Sequence, residues 1–412
     1  MKRIVSLVLT VMLLVMLSAT PTMAEVLDTV QLPEQEGAVV LTSRAVEADA
    51  SAPLLAFVDL RDTMEDNNYM VRSLKAQLDD LQDMDLSELD GAVGMLEQLA
   101  AGLNTTQTAV NAALSQLQKL PEVDPNLILT YNALSATLKA DTILLDSQIA
   151  SLESQIESAE SSVELGQDTI YNAIDQMVKG AETLYIGIAT MENAVADIQR
   201  GLDTLDRAVA IYETQLELGM ASEYDVESMK YQRTSVASQM EALKFQIKTS
   251  KIMLEGLCGM EINGNVRLGE LALPTAEEIS GVDYDGTLYR ATQRNLDVIS
   301  ARAENDADDD DDAATSYAVH AAEDTFAYNY KITCLTVGEK QRLVEMAGET
   351  VAFQERTFEI TAKKYELGMI SYEEYMAGQS ELLQAKSDLY TAQLELFSAY
   401  RNYVWARDKG IV

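Results

Sequence analysis

The sequence predicts an all-α protein built from long antiparallel coiled-coil helical hairpins in two tandem repeats, with little or no β-structure. Three observations predict this fold. A tight glycine turn between two helical stretches occurs twice, at 218–222 and at 367–371. Apolar residues recur at seven-residue spacing on both sides of each turn, and only 6 prolines interrupt the 412 residues. Sustained seven-residue spacing is typical of coiled-coil packing.

Each copy of the turn ends one helix and begins the next. Gly219 and Gly368 suit the left-handed residue that follows a helix, because glycine has no Cβ to clash. Ser222 and Ser371 lie three residues later, where a hydroxyl can cap the next helix. An acid follows three residues after each serine, which completes a capping-box pattern.

The register after the turns repeats as well. Val226 and Tyr375 begin matching series of positions seven residues apart, and every later pair has the same separation in sequence. The first series is Val226, Arg233, Met240, Ile247 and Leu254, and the second is Tyr375, Leu382, Leu389, Leu396 and Tyr403. Because turn, caps and heptads coincide, two repeats explain the pattern better than two unrelated hairpins.

The composition excludes several classes of function. The chain has a formal net charge of −37, from 67 acidic and 30 basic side chains. This acidity argues against binding to nucleic acid, which needs clustered Lys and Arg, and against docking on anionic lipid. The apolar content of 47% indicates a folded protein rather than a disordered one.

The first segment predicts export across the cytoplasmic membrane. Two basic residues precede an apolar run from Ile4 to Leu17, and Thr22-Met23-Ala24 fits a cleavage site. We therefore expect residues 1–24 to be a signal peptide, with an uncleaved anchor as the alternative. A cell-envelope location follows: the outer membrane or periplasm in a cell that has them, and the extracytoplasmic surface otherwise.

The remaining chain divides into a leader, two repeats and a linker. Residues 25–52 are expected to be a flexible leader, because they show no sustained period. The predicted domains are helical repeat 1 over 53–258, an inter-repeat linker over 259–284 that can hold a short strand, and helical repeat 2 over 285–410. Repeat 1 carries an inserted helical hairpin at about 85–162, where repeat 2 has an acidic loop at 304–312.

Individual helices follow from the apolar pattern. Leu55 to Met84 is predicted to be one helix with Asn67-Asn68 inside it, and Leu288 to Ala303 is its counterpart in repeat 2. Leu127 to Leu218 predicts one long helix with a weak spot near Leu165-Gly166. The acids at 304–312 predict a solvated loop, since neighbouring aspartates repel one another and the spaced ligands of a calcium loop are absent.

The sequence does not predict an enzyme, a cofactor or a metal site. His320 is the only histidine, so no histidine cluster offers metal ligands or a general base. It lies within a helical pattern, where a structural role is expected. Cys258 and Cys334 lie at similar distances from the two turns, so they form either a disulfide or two free thiols in a helical core.

One stretch carries a resemblance to a known family. It reads from Lys364 through Tyr-Glu-Leu-Gly-Met-Ile-Ser-Tyr-Glu-Glu-Tyr-Met-Ala-Gly to Gln379, and continues as an Ala/Gln/Leu/Lys heptad from Leu382 to Leu389. This stretch resembles the second hairpin of the outer-membrane efflux protein family, the TolC-like outer membrane factors. Asp59 to Leu81 is similar to the family's opening helix, and the resemblance covers most of 55–84 and 163–410.

The resemblance implies an assembly and a function. Family members are homotrimers in which each chain gives two hairpins to a helical tunnel, a TolC-like α-barrel. Their glycine turns meet a periplasmic adaptor protein of the membrane-fusion type, which connects to an inner-membrane transporter. The implied adaptor-docking tips are Leu218, Gly219, Met220, Leu367, Gly368 and Met369, and the implied channel entrance is Asp225, Tyr365 and Glu374. In a trimer the two acids would form acidic rings, but plain helix capping explains them equally well, and both roles can coexist.

The chain departs from the family pattern in two ways. Ile370 and Ala377 stand where the family's best-known member has a basic and an acidic residue, which weakens the expected closed-gate network. Family members also carry membrane strands in each repeat, and neither 85–162 nor 304–314 shows the alternating apolar pattern of such strands. The sequence therefore predicts a TolC-like tunnel without these strands.

Two functions fit this sequence. The first is a transport component, a duct for efflux or export of small molecules or proteins. The second is an extracytoplasmic structural coiled-coil spacer or adhesin with no conduit. A periplasmic-type adaptor is a weaker third, since the strands that would flank its single hairpin are missing from the pattern.

Overall fold

A computed structural model describes residues 40–41, 52–118, 125–307 and 313–412 of the chain. The predicted signal peptide, the other residues of the predicted leader up to 51, and acidic residues 308–312 lie outside the described residues. The helices are α1 (Leu60–Asn67), α2 (Tyr69–Gln82), α3 (Ser87–Leu117), α4 (Pro125–Glu217), α5 (Glu223–Leu257), α6 (Ala276–Ser280), α7 (Tyr284–Thr292), α8 (Leu296–Asp306), α9 (Ala313–Glu366) and α10 (Tyr372–Lys409). The strands are β1 (Val40–Leu41), β2 (Leu54–Leu55), β3 (Arg267–Leu268) and β4 (Leu271–Ala272), and a short 3-10 helix covers Phe57–Asp59.

Four long helices form the two predicted hairpins. Helices α4 and α5 make the first hairpin around Gly219, and α9 and α10 make the second around Gly368. The hairpins meet through α4 and α10, so the helices pack in the order α5, α4, α10, α9. Asn193 contacts Ser387, and Arg207 contacts Met376, so α4 and α10 run antiparallel. The predicted fold class, all-α hairpins in tandem repeats with little β-structure, is confirmed.

The heptad positions supply much of the packing between the helices. Val226, Met240 and Leu254 of the first series are buried, as are Leu396 and Tyr403 of the second. Arg233 is the polar exception in the first series, and its guanidinium pairs with the carboxylate of Asp206 on α4, with 2.8 Å between Nε and Oδ1.

Helix α4 runs unbroken through 93 residues, which corresponds to about 140 Å at 1.5 Å per residue. Its first third pairs with α3 in a third, separate hairpin. The long helix predicted from Leu127 to Leu218 forms, and it continues through the predicted weak spot at Leu165-Gly166. A Cβ on Gly166 would lie 3.2 Å from Leu81 Cδ1, so glycine there lets α2 pack close to α4.

The single helix predicted from Leu55 to Met84 is also wrong. The segment contains β2, the 3-10 helix, α1 and α2, with a break at Asn68. The Asn68 side chain accepts hydrogen bonds from the backbone N–H groups of Met70 (2.8 Å) and Val71 (3.2 Å), which caps α2. Its Nδ2 donates to the Leu257 carbonyl oxygen at 2.7 Å, so the break is held by the end of α5.

Repeat 2 uses the same device, and the helix predicted from Leu288 to Ala303 is broken in the same manner. Asn295 separates α7 from α8 and accepts from the Val298 N–H at 3.1 Å. Its Nδ2 donates to the Gly410 carbonyl oxygen at 2.9 Å, beyond the end of α10. In each repeat, therefore, an asparagine latches a short broken helix to the end of the hairpin's second helix.

The linker between the repeats is more ordered than the sequence predicts. Strand β3 pairs in parallel with β2, and β4 pairs antiparallel with β1, so residues 40–41 of the expected flexible leader are paired and not free. The short helix α6 was not predicted. The expected acidic loop is shorter than predicted at its start, because Glu304 to Asp306 belong to α8.

A buried carboxylate holds the beginning of this linker. Glu255, near the end of α5, is 1% exposed. Its Oε2 accepts hydrogen bonds from the backbone N–H groups of Asn263 (2.7 Å) and Gly264 (2.6 Å). Its Oε1 accepts from those of Asn265 (2.9 Å) and Val266 (3.0 Å). Four backbone donors stabilise the buried charge, and the charge in turn fixes the loop.

The main core lies where the linker, the short strands and α1 surround the middle of α4. Tyr185 is fully buried there, and its hydroxyl lies 3.0 Å from the Leu55 carbonyl oxygen and 3.1 Å from that of Gly269. Cys258 belongs to this core and Cys334 to a separate one, and both are free thiols. Among the described helices, none combines the length and the apolar character that crossing a membrane requires.

Glu255→Gln tests the carboxylate clasp. The amide places an NH₂ donor where a carboxylate oxygen now accepts two backbone N–H groups, so buried donors lose their acceptor. We expect the free energy of unfolding to fall by about 2 kcal/mol, measured by urea denaturation. The exposed Glu261→Gln is the matched control and should leave it unchanged; equal effects of the two substitutions would contradict the assignment.

Candidate docking tips and helix edges

Both glycine turns have the same backbone geometry. Gly219 has a φ of 71° and Gly368 a φ of 69°, in the left-handed region that favours glycine. In the first turn the N–H of Gly219 donates to the Leu216 carbonyl oxygen (2.9 Å), and that of Met220 donates to Gln215 (2.7 Å). The second turn has the matching bonds from Gly368 to Tyr365 (2.9 Å) and from Met369 to Lys364 (2.8 Å). This pair of bonds is the Schellman motif, which ends a helix sharply.

The helix that follows each turn begins with a complete capping box. The Ser222 hydroxyl accepts from the Asp225 N–H at 3.2 Å, and Asp225 Oδ2 accepts from the Ser222 N–H at 2.9 Å. The hydrogen bond from the Ser222 hydroxyl is the main cause that lowers the pKa of the Asp225 carboxyl. In the second turn Ser371 and Glu374 make the same reciprocal bonds, at 3.1 Å and 2.8 Å.

The tip residues implied by the resemblance present apolar side chains to solvent. Leu218, Met220, Leu367 and Met369 are each between 68% and 75% exposed. These four large apolar side chains face water at two neighbouring turns, so they contribute little to the core of the chain. The geometry is therefore that of a surface available for contact with another protein.

The two tips lie at the same end of the molecule. Helices α4 and α10 are antiparallel neighbours, α4 runs toward the first turn, and α10 runs away from the second. Near the tips Arg207 Nη1 lies 3.8 Å from Met376 Sδ, which joins the two hairpins. Each chain thus presents two adjacent glycine turns at one end.

The second tip carries an aromatic cluster that the first tip lacks. Tyr365 and Tyr375 stack with ring centroids 4.9 Å apart, and Tyr372 lies 6.0 Å from Tyr365. Phe358 completes the cluster, 5.4 Å from Tyr375. Of the four, the resemblance singled out Tyr365 alone. Phe358, Tyr372 and Tyr375 lie on the two sides of the same predicted turn, and this spacing is the signal that could have identified the cluster.

The three predicted entrance residues do not form a network within one chain. The hydrogen bonds of Asp225 are to Ser222, and those of Glu374 are to Ser371. Tyr365 makes ring contacts with Tyr372 and Tyr375. The capping role of both acids is therefore observed. A ring of these residues around an entrance would form only in an assembly of several chains.

Polar groups line the joint between the hairpins, a feature that the sequence did not reveal. Buried Glu182 on α4 accepts two hydrogen bonds from Arg401 (3.0 and 2.6 Å) and one from Trp405 Nε1 (2.8 Å). Further along, Asn193 donates to Ser387 at 3.0 Å, and Ser387 donates to Asp197 at 2.6 Å. In a sequence, buried and half-buried acids such as Glu182 and Asp197 look the same as the many solvated acids on long helices, so the sequence alone does not distinguish them.

The outer faces of α5 and α9 are apolar and exposed. On α5 the exposed residues fall at seven-residue intervals; these are Tyr224, Tyr231, Phe245 and Ile252, with Ser238 between them. On α9 the exposed residues Ile332, Met346, Phe353 and Ile360 lie on one heptad series, in which exposed Glu339 occupies the remaining position, and exposed Leu335 lies three residues after Ile332. In the four-helix row α5 and α9 are the outermost helices, and these side chains stay exposed, although α7 and α8 also pack against the first part of α9.

The groups that could support chemistry are sparse. His320 has a side chain that is 71% exposed on α9, with Nδ1 3.6 Å from Glu323 Oε2, so it is a surface residue and not part of a core. Within the described ranges, no three His, Cys, Asp or Glu side chains are placed to hold a metal ion. Burial raises the pKa of the Cys258 and Cys334 thiols to about 11, which leaves them unreactive near neutral pH.

The chain resembles solved structures of membrane proteins at low similarity. No family model and no curated protein matches it. It is similar to the outer membrane protein VceC from Vibrio cholerae, with 13% identity over 63% of this chain and 76% of that one and a TM-score of 0.47. It is also similar to a membrane protein from Pseudomonas aeruginosa (13% identity, 86% and 90% coverage, TM-score 0.49) and to the outer membrane channel CmeC from Campylobacter jejuni (14%, 93% and 94%, 0.37). Identities and scores this low carry neither function nor partners to this chain.

Three glycine substitutions test the geometry of the turns. Gly219→Ala should lower the free energy of unfolding by about 1–2 kcal/mol, because the φ of Gly219 is left-handed. No clash adds to this cost, since no neighbour lies within 4 Å of the new Cβ. Gly259→Ala should cost more, because its φ is also left-handed and the Cβ would lie 2.4 Å from the Asn67 carbonyl oxygen. Gly201→Ala, inside α4 with open space around it, is the control and should stabilise by up to about 1 kcal/mol.

The free energy of unfolding, measured by urea denaturation, ranks these three variants. A Gly219→Ala protein as stable as Gly201→Ala would show that the turn is not left-handed.

Proposed function

We propose that this chain is an exported, TolC-like component of an efflux or export system in the cell envelope. It forms a homotrimeric helical duct whose glycine-turn tips dock an adaptor protein, and the adaptor connects the duct to an inner-membrane transporter. The observation that carries the proposal is the pair of exposed apolar heptads on the outer edges of the four-helix row. The exposed apolar tips support it further.

The two edges favour a ring. A face on α5 and a different face on α9 can bury each other only between separate copies, in a head-to-tail contact. Contacts of this type close into a ring when the rotation between copies allows it, whereas a dimer would need one face to pair with itself. The number three comes from the resemblance to the TolC-like family.

The internal repeat indicates how the edges would fit. Within one chain, α10 presents Ser387 and Arg401 to α4. The repeat places Ser238 and Ile252 of α5 at the equivalent positions, and it makes α9 the equivalent of α4. The contact of α5 with α9 of the next copy would therefore repeat the observed contact of α10 with α4. Lys331 and Ile252 take the positions of Glu182 and Arg401, so this ion pair would not be repeated.

At one end of such a ring the tips of three chains come together. Each copy contributes the four exposed Leu and Met side chains as an apolar docking surface. Asp225 and Glu374 would each occur three times around the opening, where they would favour cations while keeping their capping bonds. Tyr365 would lie beside them as part of the aromatic cluster.

Lysine substitutions at the edges test the ring. Phe245→Lys on α5 and Phe353→Lys on α9 each place a charge in the proposed contact, so both should convert the trimer to monomer in sedimentation-velocity experiments. Gln239→Lys, at an exposed polar position of α5, is the control and should stay trimeric. A wild-type chain that is monomeric, or edge variants that assemble as well as the control, would contradict the ring.

Cysteine cross-linking at the tips tests the docking role. Met220→Cys and Met369→Cys should cross-link in cells to one extracytoplasmic adaptor with a helical hairpin, identified by mass spectrometry, because the tips face outward. Gln239→Cys, midway along α5, should not capture it. A trimer whose tips capture no adaptor would favour the structural spacer or adhesin instead.

A further inference from the structure

One part of the chain plays no role in the duct or its tips. The arm, defined here as α3 together with residues 125–162 of α4, is an antiparallel hairpin. Its inner face is filled by its own side chains, with Val93, Ala100 and Val110 of α3 and Leu138 of α4 buried. The two helices run side by side, with Ser135 Oγ 2.7 Å from Asn111 Oδ1.

A second apolar face on the arm is exposed. Leu129 and Ile143 on α4 are 69% and 59% exposed, and Met95 and Leu99 on α3 are exposed as well. Residues at alternating spacings of four and three join the two α4 positions; these are Leu129, Ala133, Ala136, Ala140 and Ile143, all exposed. That spacing is the seam of a coiled coil, so α4 carries a second seam beside the one it uses within the arm.

The charge of the arm differs from that of the rest of the chain. No charged residue lies between Glu97 and Lys119, or between Asp124 and Lys139, although the whole chain has a net charge of −37. Copies of a chain with this net charge repel one another except where the surfaces that meet are apolar or uncharged. The outer half of the arm is where two copies can touch without that repulsion, and its apolar seam gains from being covered.

The position of the arm also suits contact between copies. Helix α4 continues without a break from the arm through the body to the first tip. In a ring of parallel copies, the arms therefore project together from the end opposite the docking tips. This step rests on the proposed function.

We propose that the exposed seam of the arm binds the arms of the other copies of this chain, forming a helical bundle that holds the ring together at the end away from the tips. The occupant of the seam is a second copy rather than a foreign partner. The seam has the spacing of a coiled-coil contact, and its first part, up to Leu138, carries no charged residue, so this surface suits contact with a copy of itself.

Paired glutamates test the seam in the full chain. Leu129→Glu with Ile143→Glu places two charges in the seam, and Gln148→Glu with Gln155→Glu adds the same charge at exposed polar positions of the same helix. The concentration at which trimer and monomer are equally populated, measured by sedimentation equilibrium, should rise by about tenfold or more for the seam pair. The control pair should stay within about twofold of wild type, with circular dichroism showing equal helix content in all three proteins.

Oxidative cross-linking gives an independent readout. Ala136→Cys should form disulfides between copies, because it lies in the seam, while the buried Cys258 and the half-buried Cys334 have raised thiol pKa values and should react little. A Gln155→Cys control should cross-link much less. A wild-type trimer that neither responds to the seam pair nor cross-links at Ala136→Cys overturns the arm contact and leaves the duct intact.

Two other outcomes separate a failure of the duct from a failure of the arm contact. Wild type that is monomeric at every concentration overturns the duct together with the arm contact. Wild type that co-sediments with phosphatidylcholine vesicles, when the seam pair does not and both remain trimeric, assigns the seam to a lipid surface and overturns the proposal.

Discussion

A row of four antiparallel helices has two outer edges, and this constraint governs the rest of the molecule. The inner contacts, α5 with α4, α4 with α10 and α10 with α9, are made within one chain. The outer faces of α5 and α9 keep aromatic and aliphatic side chains at heptad positions, exposed to water. A row can remove its edges by closing on itself through further copies. In the proposed ring, the tandem repeat would place the free edges of neighbouring copies in a contact equivalent to the joint between α4 and α10.

The joint between α4 and α10 combines an apolar core with buried polar networks. Glu182, Arg401 and Trp405 form one network, and Asn193, Ser387 and Asp197 another. Each buried polar group needs its partner at one register, so sliding by a turn would leave charges unpaired. These networks therefore fix how the two hairpins align, which in turn brings both glycine turns to one end.

The sequence predicted the features that arise from local chemistry. The left-handed Gly219 and Gly368 and the caps at Ser222 and Ser371 depend on residues within a few positions of one another, and all formed as expected. The helix breaks at Asn68 and Asn295 were missed, because each asparagine is held by a carbonyl oxygen at the far end of another helix. The long helix α4 was predicted, but the reason for glycine at position 166 was not. Glycine there admits Leu81 from α2, a contact that no local pattern shows.

The tip residues were found through resemblance, and their exposure is now observed, whereas their docking role stays a prediction. The arm is the part of this chain with no counterpart in repeat 2. End-on views of the purified full-length chain by cryo-electron microscopy test the central claim most directly. The account predicts threefold rings with an open centre, in which α5 of one copy lies against α9 of the next. A solitary four-helix row, or a solid bundle with no opening, would contradict it.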